Sequence, residues 1–340
     1  MTQLRRLLPL LTLTIAACAT LPERTYVNPV IDRDFPDPAL LRAPDGWFYA
    51  YATQGESDGR MLNIQVARSR DLVRWTLMGD ALPGKPRWAA ATQDFWAPHV
   101  IHDRSLGRYV MYYSARPDGR KGKCLAVATA PEPAGPFVDA GAPLACGEDI
   151  EHIDPMAFDD PRSGKRLLYW GSGGKPIRVQ ELSPDRMRFV PGSAAVDVVF
   201  PDGSKPYRSL IEGAWVSFRD GTYYLFYSGD RCCTRDPSYA LMVARSNSAS
   251  GPFEALGTPI LERSAAWVAP GHNSVVEDDA GDDWIAYHAI AAGGTRARRM
   301  LLERIVYREG WPRIAGDRPS DQPQPGPRLA RAASTLPEDP

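Results

Sequence analysis

Apolar positions along this chain gather in short solid runs. Five are aromatic: Trp47-Phe48-Tyr49-Ala50-Tyr51, Tyr109-Val110-Met111-Tyr112-Tyr113, Leu167-Leu168-Tyr169-Trp170, Tyr223-Tyr224-Leu225-Phe226-Tyr227 and Trp284-Ile285-Ala286-Tyr287. Each is followed by a second run of small and branched residues, at 63–67, 125–128, 177–179, 239–244 and 300–305. Each unit then closes on an aromatic near a turn: Trp75, Phe137, Phe189, Phe253 or Trp311. Runs this short, bounded by turn residues, read as buried strands. No sustained 3.6-residue apolar pattern interrupts them, and 29 Gly and 32 Pro punctuate the chain.

The central aromatics Tyr49, Tyr112, Tyr169, Phe226 and Tyr287 stand 63, 57, 57 and 61 residues apart. A period near sixty, with several short strands per unit, predicts an all-β fold: a five-bladed β-propeller with four-stranded antiparallel blades, over residues 28–315. One blade cannot bury both faces of its sheet, so it must stack on its neighbours around an axis.

One polar residue precedes each central aromatic at a near-constant offset. The offsets are 12 for Asp37, 13 for His99, 15 for Asp154, 14 for Glu212 and 15 for His272. A constant offset means a constant place in each blade. Set on the innermost strands, these residues converge at one end of the central channel.

Charge narrows the partners. Lys plus Arg number 40 and Asp plus Glu 41, so nothing favours nucleic acid or an anionic surface. Tyr and Trp together outnumber Phe, which suits a sugar binder, although ordinary strand composition explains it equally. The N-terminus reads as a targeting segment. Arg5 and Arg6 precede an apolar stretch from Leu7 to Ala16 that is too short to span a bilayer. Ile15-Ala16-Ala17-Cys18 is similar to a bacterial lipoprotein cleavage box, with residues 1–18 as the signal and Cys18 as the lipidated residue. Simple secretory cleavage is the alternative. Ala19, where an Asp would retain the protein at the inner membrane, points to the outer membrane, periplasmic or cell-surface. Residues 19–27 are then a tether, and the Pro-rich stretch 316–340 a disordered tail. Export places Cys124, Cys146, Cys232 and Cys233 where disulfides persist, and four cysteines allow three pairings. No CxxC pair is present and the histidines are scattered, so a zinc-type site is not expected.

Two carboxylates flanking a bond are what glycoside hydrolysis requires: one protonates the leaving oxygen, and the other activates water or attacks the sugar. A third acid nearby raises the pKa of the protonated partner. Asp37, Asp154 and Glu212 supply that set. Taken singly, Asp37 and Asp154 are ordinary Asp-Pro turn starters. Glu212, between Ile211 and Gly213-Ala214-Trp215, is harder to dismiss, because a carboxylate in an apolar strand is costly unless paired or functional.

These residues are embedded in Asn28-Pro29-Val30, Phe35-Pro36-Asp37-Pro38, Phe95-Trp96-Ala97-Pro98-His99-Val100, Ile153-Asp154-Pro155, Ile211-Glu212-Gly213-Ala214 and Gly271-His272-Asn273-Ser274. In that order and spacing they resemble glycoside hydrolase family 43, propeller enzymes acting on arabinose- and xylose-containing polysaccharides. The resemblance covers residues 28–314. It implies Asp37 as general base, Asp154 as the acid that orients and tunes the pKa, Glu212 as general acid, and an inverting reaction. It also implies Trp96, His99, His272 and Arg299 as substrate-binding residues. His272 matches a histidine that in many members contacts a calcium or sodium ion through water; the chemistry itself requires no cofactor. The Cys232-Cys233 pair is similar to that of arabinan-active members and favours a bond between these two. Gly-Ala-Trp after Glu212 departs from the arabinanase pattern, which bears on endo against exo cleavage. The expected activity is hydrolysis of α-L-arabinofuranosyl linkages in arabinan or arabinoxylan by a monomer held to the membrane by its lipid alone. β-Xylosidase activity is second. A rival from another class is a non-catalytic glycan-binding propeller lipoprotein, which would not need three acids.

Overall fold

Five antiparallel sheets follow one another along the chain in the computed structural model, which describes residues 25–329. The first comprises Ala39–Arg42, Phe48–Ala52, Gln65–Ser69 and Thr76–Asp80, with a small hairpin (Gly55–Ser57, Arg60–Leu62) between its second and third strands. The second comprises Trp96–Asp103, Arg108–Ala115, Cys124–Ala130 and Val138–Asp139, with Ala145–Cys146 also pairing its third strand. The third comprises Met156–Asp159, Arg166–Trp170, Ile177–Glu181 and Val196–Val199. Ile211–Arg219, Thr222–Gly229, Ala240–Ser246 and Glu254–Ala255 make the fourth; Trp267–Glu277, Asp283–Ala291, Arg298–Arg308 and Trp311–Ile314 make the fifth. The expected five-bladed, four-stranded propeller is the fold, and each aromatic run is the second strand of its blade.

Apolar clusters fill the spaces between blades. One joins Tyr51 and Val66 of blade 1 to Met111 and Ala128 of blade 2. Another joins Tyr112 and Val127 to Leu168 and Leu182 of blade 3. The largest spans blades 3, 4 and 5, and a further one joins blade 5 to blade 1 through Trp284, Leu302, Phe48 and Ala50. Many tyrosines serve this stacking. The hydroxyls of Tyr51, Tyr112, Tyr169 and Tyr224 donate to the carbonyls of Pro133, Arg186, Ala249 and Gly310, each in the next blade. A ring that must be buried keeps its polar tip bonded in this way. Part of the tyrosine enrichment thus serves blade stacking.

The seam between blades 5 and 1 is closed differently. Residues 25–35 run across blade 5: Tyr26 Oη donates to Leu302 O, and Ile31 bridges Met300. Thr25–Tyr26 pairs with Gln324–Pro325, Ser320 bonds Glu303, Arg328 N donates to Asp278, and Leu329 packs on the blade 5/blade 1 cluster. The expected disordered tail is therefore corrected for residues 316–329, and the tether for residues 25–27. Low apolar content misled the reading, because backbone pairing and polar bonds fix this segment. Residues 1–24, with the signal and Cys18, and residues 330–340 lie outside the described part.

Disulfides join Cys124 to Cys146 and Cys232 to Cys233, one of the three pairings. The first ties the extra strand of blade 2 to its third strand.

At or near the mouth end of each innermost strand, and within it in blade 5, the backbone takes the left-handed conformation. Asp37, Ala97, Asp154, Gly213 and His272 have φ of 57°, 47°, 60°, 64° and 48°. For a residue with a Cβ this is strained and persists only where the surroundings dictate it. Here the fixing contacts come from the preceding blade. Ala97 N donates to Thr53 Oγ1, Asp154 N to Ser114 Oγ, His272 N to Ser228 Oγ and Asp37 N to His288 Nδ1. Register shifts after Trp96, Glu212 and Val268 accompany the turns. The channel mouth is thus a ring of kinks, each held by its neighbour.

Candidate active site

Three carboxylates meet at this mouth. Asp154 Oδ2 accepts the amide of Gly213, the residue after Glu212, at 2.8 Å. His272 Nδ1 lies 3.3 Å from Asp37 Oδ1 and 3.8 Å from Asp154 Oδ2. The three blades that carry the acids are thereby tied to blade 5. Asp37 and Asp154 are largely buried, at 8% and 6% exposure, so their charges are governed by neighbours rather than by water.

The surroundings of the three differ. Burial raises the pKa of Asp37, but the Arg298 guanidinium, with His272 and His288, overrides it and holds the carboxyl well below the usual range. Arg298 Nη1 stands 3.1 Å from Oδ1, His288 Nδ1 3.2 Å from the same atom, and Thr53 Oγ1 donates to Oδ2 at 2.5 Å. Asp154 is pushed well above the carboxylate range by burial, then by the charges of Glu212 and Asp37. Glu212 is also raised, chiefly by burial and against two donors: Ser172 Oγ to Oε2 at 2.5 Å and Tyr239 Oη to Oε1 at 2.9 Å. One carboxylate is held ionised and two carboxyls are held towards the protonated form. Environments that drive titratable groups apart in this way are how acid and base roles are separated.

The other expected residues are placed as follows. Trp96 stands at the mouth, half-buried, with Lys123 Nζ 3.2 Å from its ring centroid. One face of the indole is thus taken, and at most one remains for a sugar ring. Lys123 is itself buried, which pushes its ammonium down to about 8, and it pairs with Asp94 at 2.8 Å. His99 lies deeper. It is buried, accepts the Ala157 amide at Nδ1 and packs on Trp215, with its pKa pushed down to about 3 by burial. Its contacts peg blade 2 to blades 3 and 4, as expected of a core histidine. Arg299 turns away from the centre to Asp32 at 2.5 Å; its neighbour Arg298 reaches Asp37. Side chains alternate along a strand, so a one-residue error inverts the face.

Thr53, Ser172, Tyr239, His288 and Arg298 were not anticipated. Thr53, Ser172 and His288 sit one to four residues after a central aromatic, the first two just past the second strand of their blade and His288 within it. That shared phase was the available signal. Among the described residues no group of three or more His, Cys, Asp or Glu is arranged to hold a metal.

Residues 26–312 match the family model described as glycosyl hydrolases family 43. An extracellular exo-alpha-(1->5)-L-arabinofuranosidase of Cellvibrio japonicus is 25% identical over 311 residues, covering 83% of this chain and 86% of that protein. An arabinan endo-1,5-alpha-L-arabinosidase of Emericella nidulans is 27% identical over 304 residues, covering 82% and 91%. The crystal structure of a thermostable family-43 glycoside hydrolase superposes with a TM-score of 0.75 at 28% identity, covering 90% of this chain and all of that one.

Proposed function

Since the chain belongs to glycosyl hydrolases family 43, we propose that it hydrolyses α-L-arabinofuranosyl linkages in arabinan or arabinoxylan with inversion of the anomeric centre. The observation that carries the catalytic reading is the split among three converging carboxyls. Asp37 is held ionised, while Glu212 and Asp154 are raised. Similarity to an exo-arabinofuranosidase and an endo-arabinosidase supports the sugar.

In this mechanism Glu212 delivers its proton to the glycosidic oxygen as the C–O bond breaks. Asp37 takes a proton from the water that attacks the opposite face of the sugar. Asp154 binds the Gly213 amide and so fixes the strand that carries Glu212; burial, with the nearby Asp37 charge, disfavours premature ionisation of the acid. Trp96 offers an indole face to the sugar. The residues do not fit a directly bound calcium or sodium ion: His288 Nδ1 accepts the Asp37 amide, which leaves the proton on its buried Nε2, and His272 Nδ1 is turned to Asp37 and Asp154. The lipoprotein signal and the extracellular relatives support export, and we read Cys18 as the anchor to the outer membrane.

Hydrolysis of a substrate panel tests the reading: linear and branched arabinan, arabinoxylan, xylo-oligosaccharides, and aryl arabinofuranosides and xylosides. Arabinose release, with the inverted anomer first by proton NMR, is expected. Preferential cleavage of xylosides would install the β-xylosidase reading. Binding without cleavage of any member, or full activity in Asp37→Asn or Glu212→Gln, would overturn the catalytic reading.

A further inference from the structure

Tyr239 is the residue before the third strand of blade 4, and it touches both halves of the catalytic machinery. Its hydroxyl donates to Glu212 Oε1 at 2.9 Å. Its ring lies parallel to the imidazole of His288, with centroids 5.8 Å apart and planes 8° apart. His288 in turn sits 3.2 Å from Asp37 Oδ1. The general acid and the general base are therefore linked through two stacked rings.

The space for Tyr239 is made on purpose by the adjacent strand. Gly271 precedes His272, and a Cβ there would stand 2.3 Å from Tyr239 Cδ1 and Cε1 and 2.9 Å from Ser228 Oγ. Gly271 is not among the glycines with positive φ, so room for the ring, rather than backbone freedom, is what the position requires. Ala269, Ile290, Val268 and Cys232 pack around the same ring, which is 2% exposed. Tyr239 therefore has few alternative orientations.

We propose that Tyr239 is a positioning residue for the hydrolysis described above. It sets the direction of the Glu212 carboxyl relative to Asp37 and stabilises the carboxylate left after proton transfer. The balance is simple. The Glu212 O–H bond breaks and its proton joins the leaving oxygen, which keeps the electron pair of the broken C–O bond. Water adds to the anomeric carbon and yields its proton to Asp37. Negative charge appears on Glu212 in that step, and the hydroxyls of Tyr239 and Ser172, one on each oxygen, are already aimed at it. Donors fixed before charge develops need no reorganisation when it does.

The proposal rests on the assignment of Glu212 as the acid, and the test separates the two. Wild type, Glu212→Gln, Tyr239→Phe and Gly271→Ala are assayed on aryl arabinofuranosides spanning good to poor leaving groups, and on arabino-oligosaccharide. Tyr239→Phe is expected to lose roughly tenfold or more in kcat on the oligosaccharide and stay within about twofold on the dinitrophenyl glycoside, whose oxygen needs no proton. KM should hold, and the alkaline limb of the pH profile should move up, because a donor to the carboxylate is lost. Gly271→Ala keeps the hydroxyl but displaces the ring, and should give the same leaving-group pattern. An equal loss on every leaving group, or no loss, in both variants overturns the role of Tyr239 if Glu212→Gln shows the leaving-group dependence. If Glu212→Gln lacks it, the assignment of the acid fails, and the proposal with it.

Discussion

Arg298 Nη1 lies 3.1 Å from Asp37 Oδ1, while the next residue, Arg299, faces the other way and pairs with Asp32. The guanidinium is the strongest influence holding Asp37 ionised against its own burial. Arg298→Ala should raise the Asp37 pKa and move the acidic limb of kcat/KM to higher pH. A fall of about tenfold or more near pH 6 is expected for losing a charged hydrogen bond. Arg299→Ala should change kcat/KM by less than about threefold, since an exposed pair contributes little. Steady-state pH profiles of the two variants check this.

Lys123 covers one face of Trp96 and is itself held by Asp94. Lys123→Met keeps the aliphatic stem but removes the ammonium, and Asp94 retains Arg116 at 2.8 Å. A cation over an indole contributes about 0.5–2 kcal/mol. The variant should therefore let Trp96 wander and raise KM several-fold with kcat nearly kept. Equal losses in both parameters would place the effect in folding instead.

Glu303 gives stability a pH dependence. Burial raises its pKa from 4.5 to about 7, against the bonds from Ser320, Tyr287 and Asn28 that pull it down. A folded pKa above the unfolded one means that the native state holds the proton more tightly. The contribution is complete below pH ~4.5 and is lost as pH rises through about 7. The whole span is at most about 3 kcal/mol. Denaturant midpoints measured from pH 4.5 to 8 should fall for the wild type and flatten for Glu303→Gln.

Arg186 and Asp103 form an ion pair at 2.5 Å with both side chains 2% exposed. Arg186 also reaches Asp159, and its carbonyl accepts the Tyr112 hydroxyl from blade 2. Arg186→Met leaves the buried Asp103 carboxylate with Arg166, at 3.4 Å, as its remaining cation, beside the Ser105 and Leu106 donors. The expected loss is about 3 kcal/mol or somewhat more. Adding Asp103→Asn should recover part of it. Chemical denaturation of the single and double variants reads both.

The blade count was legible because stacking imposes one strand pattern five times, and a repeated pattern averages out local ambiguity. Asp37, Asp154 and Glu212 were legible for the same reason, through their common phase. What escaped depends on single-residue geometry. The offset identified the mouth but not which of Arg298 and Arg299 faces it. His99 shares the phase yet turns inward, because the left-handed kink in its blade falls two residues earlier, at Ala97. Ser172 and Tyr239 lie just outside the second strand of blade 3 and the third strand of blade 4, and His288 lies within the second strand of blade 5, so none shares the phase of the innermost strands. The ordered stretch after residue 316 was hidden by its composition, because polar bonds rather than apolar area fix it.

Each blade is made from one continuous stretch of chain, and the seam between the last blade and the first is closed by the segment before Ala39 and the stretch that follows Ile314. Asp37 sits on the first blade at that seam, yet His272, His288 and Arg298, which hold its charge, all come from the last. Glu212 and its two hydroxyl partners stand on blades 3 and 4, with the packing around Tyr239 supplied by blade 5, and none of them comes from blade 1. With the roles proposed above, an unfinished or sprung ring would thus carry its acid without a working base. Turnover would then report completion: no glycan is cut until the segments before Ala39 and after Ile314 have closed the seam.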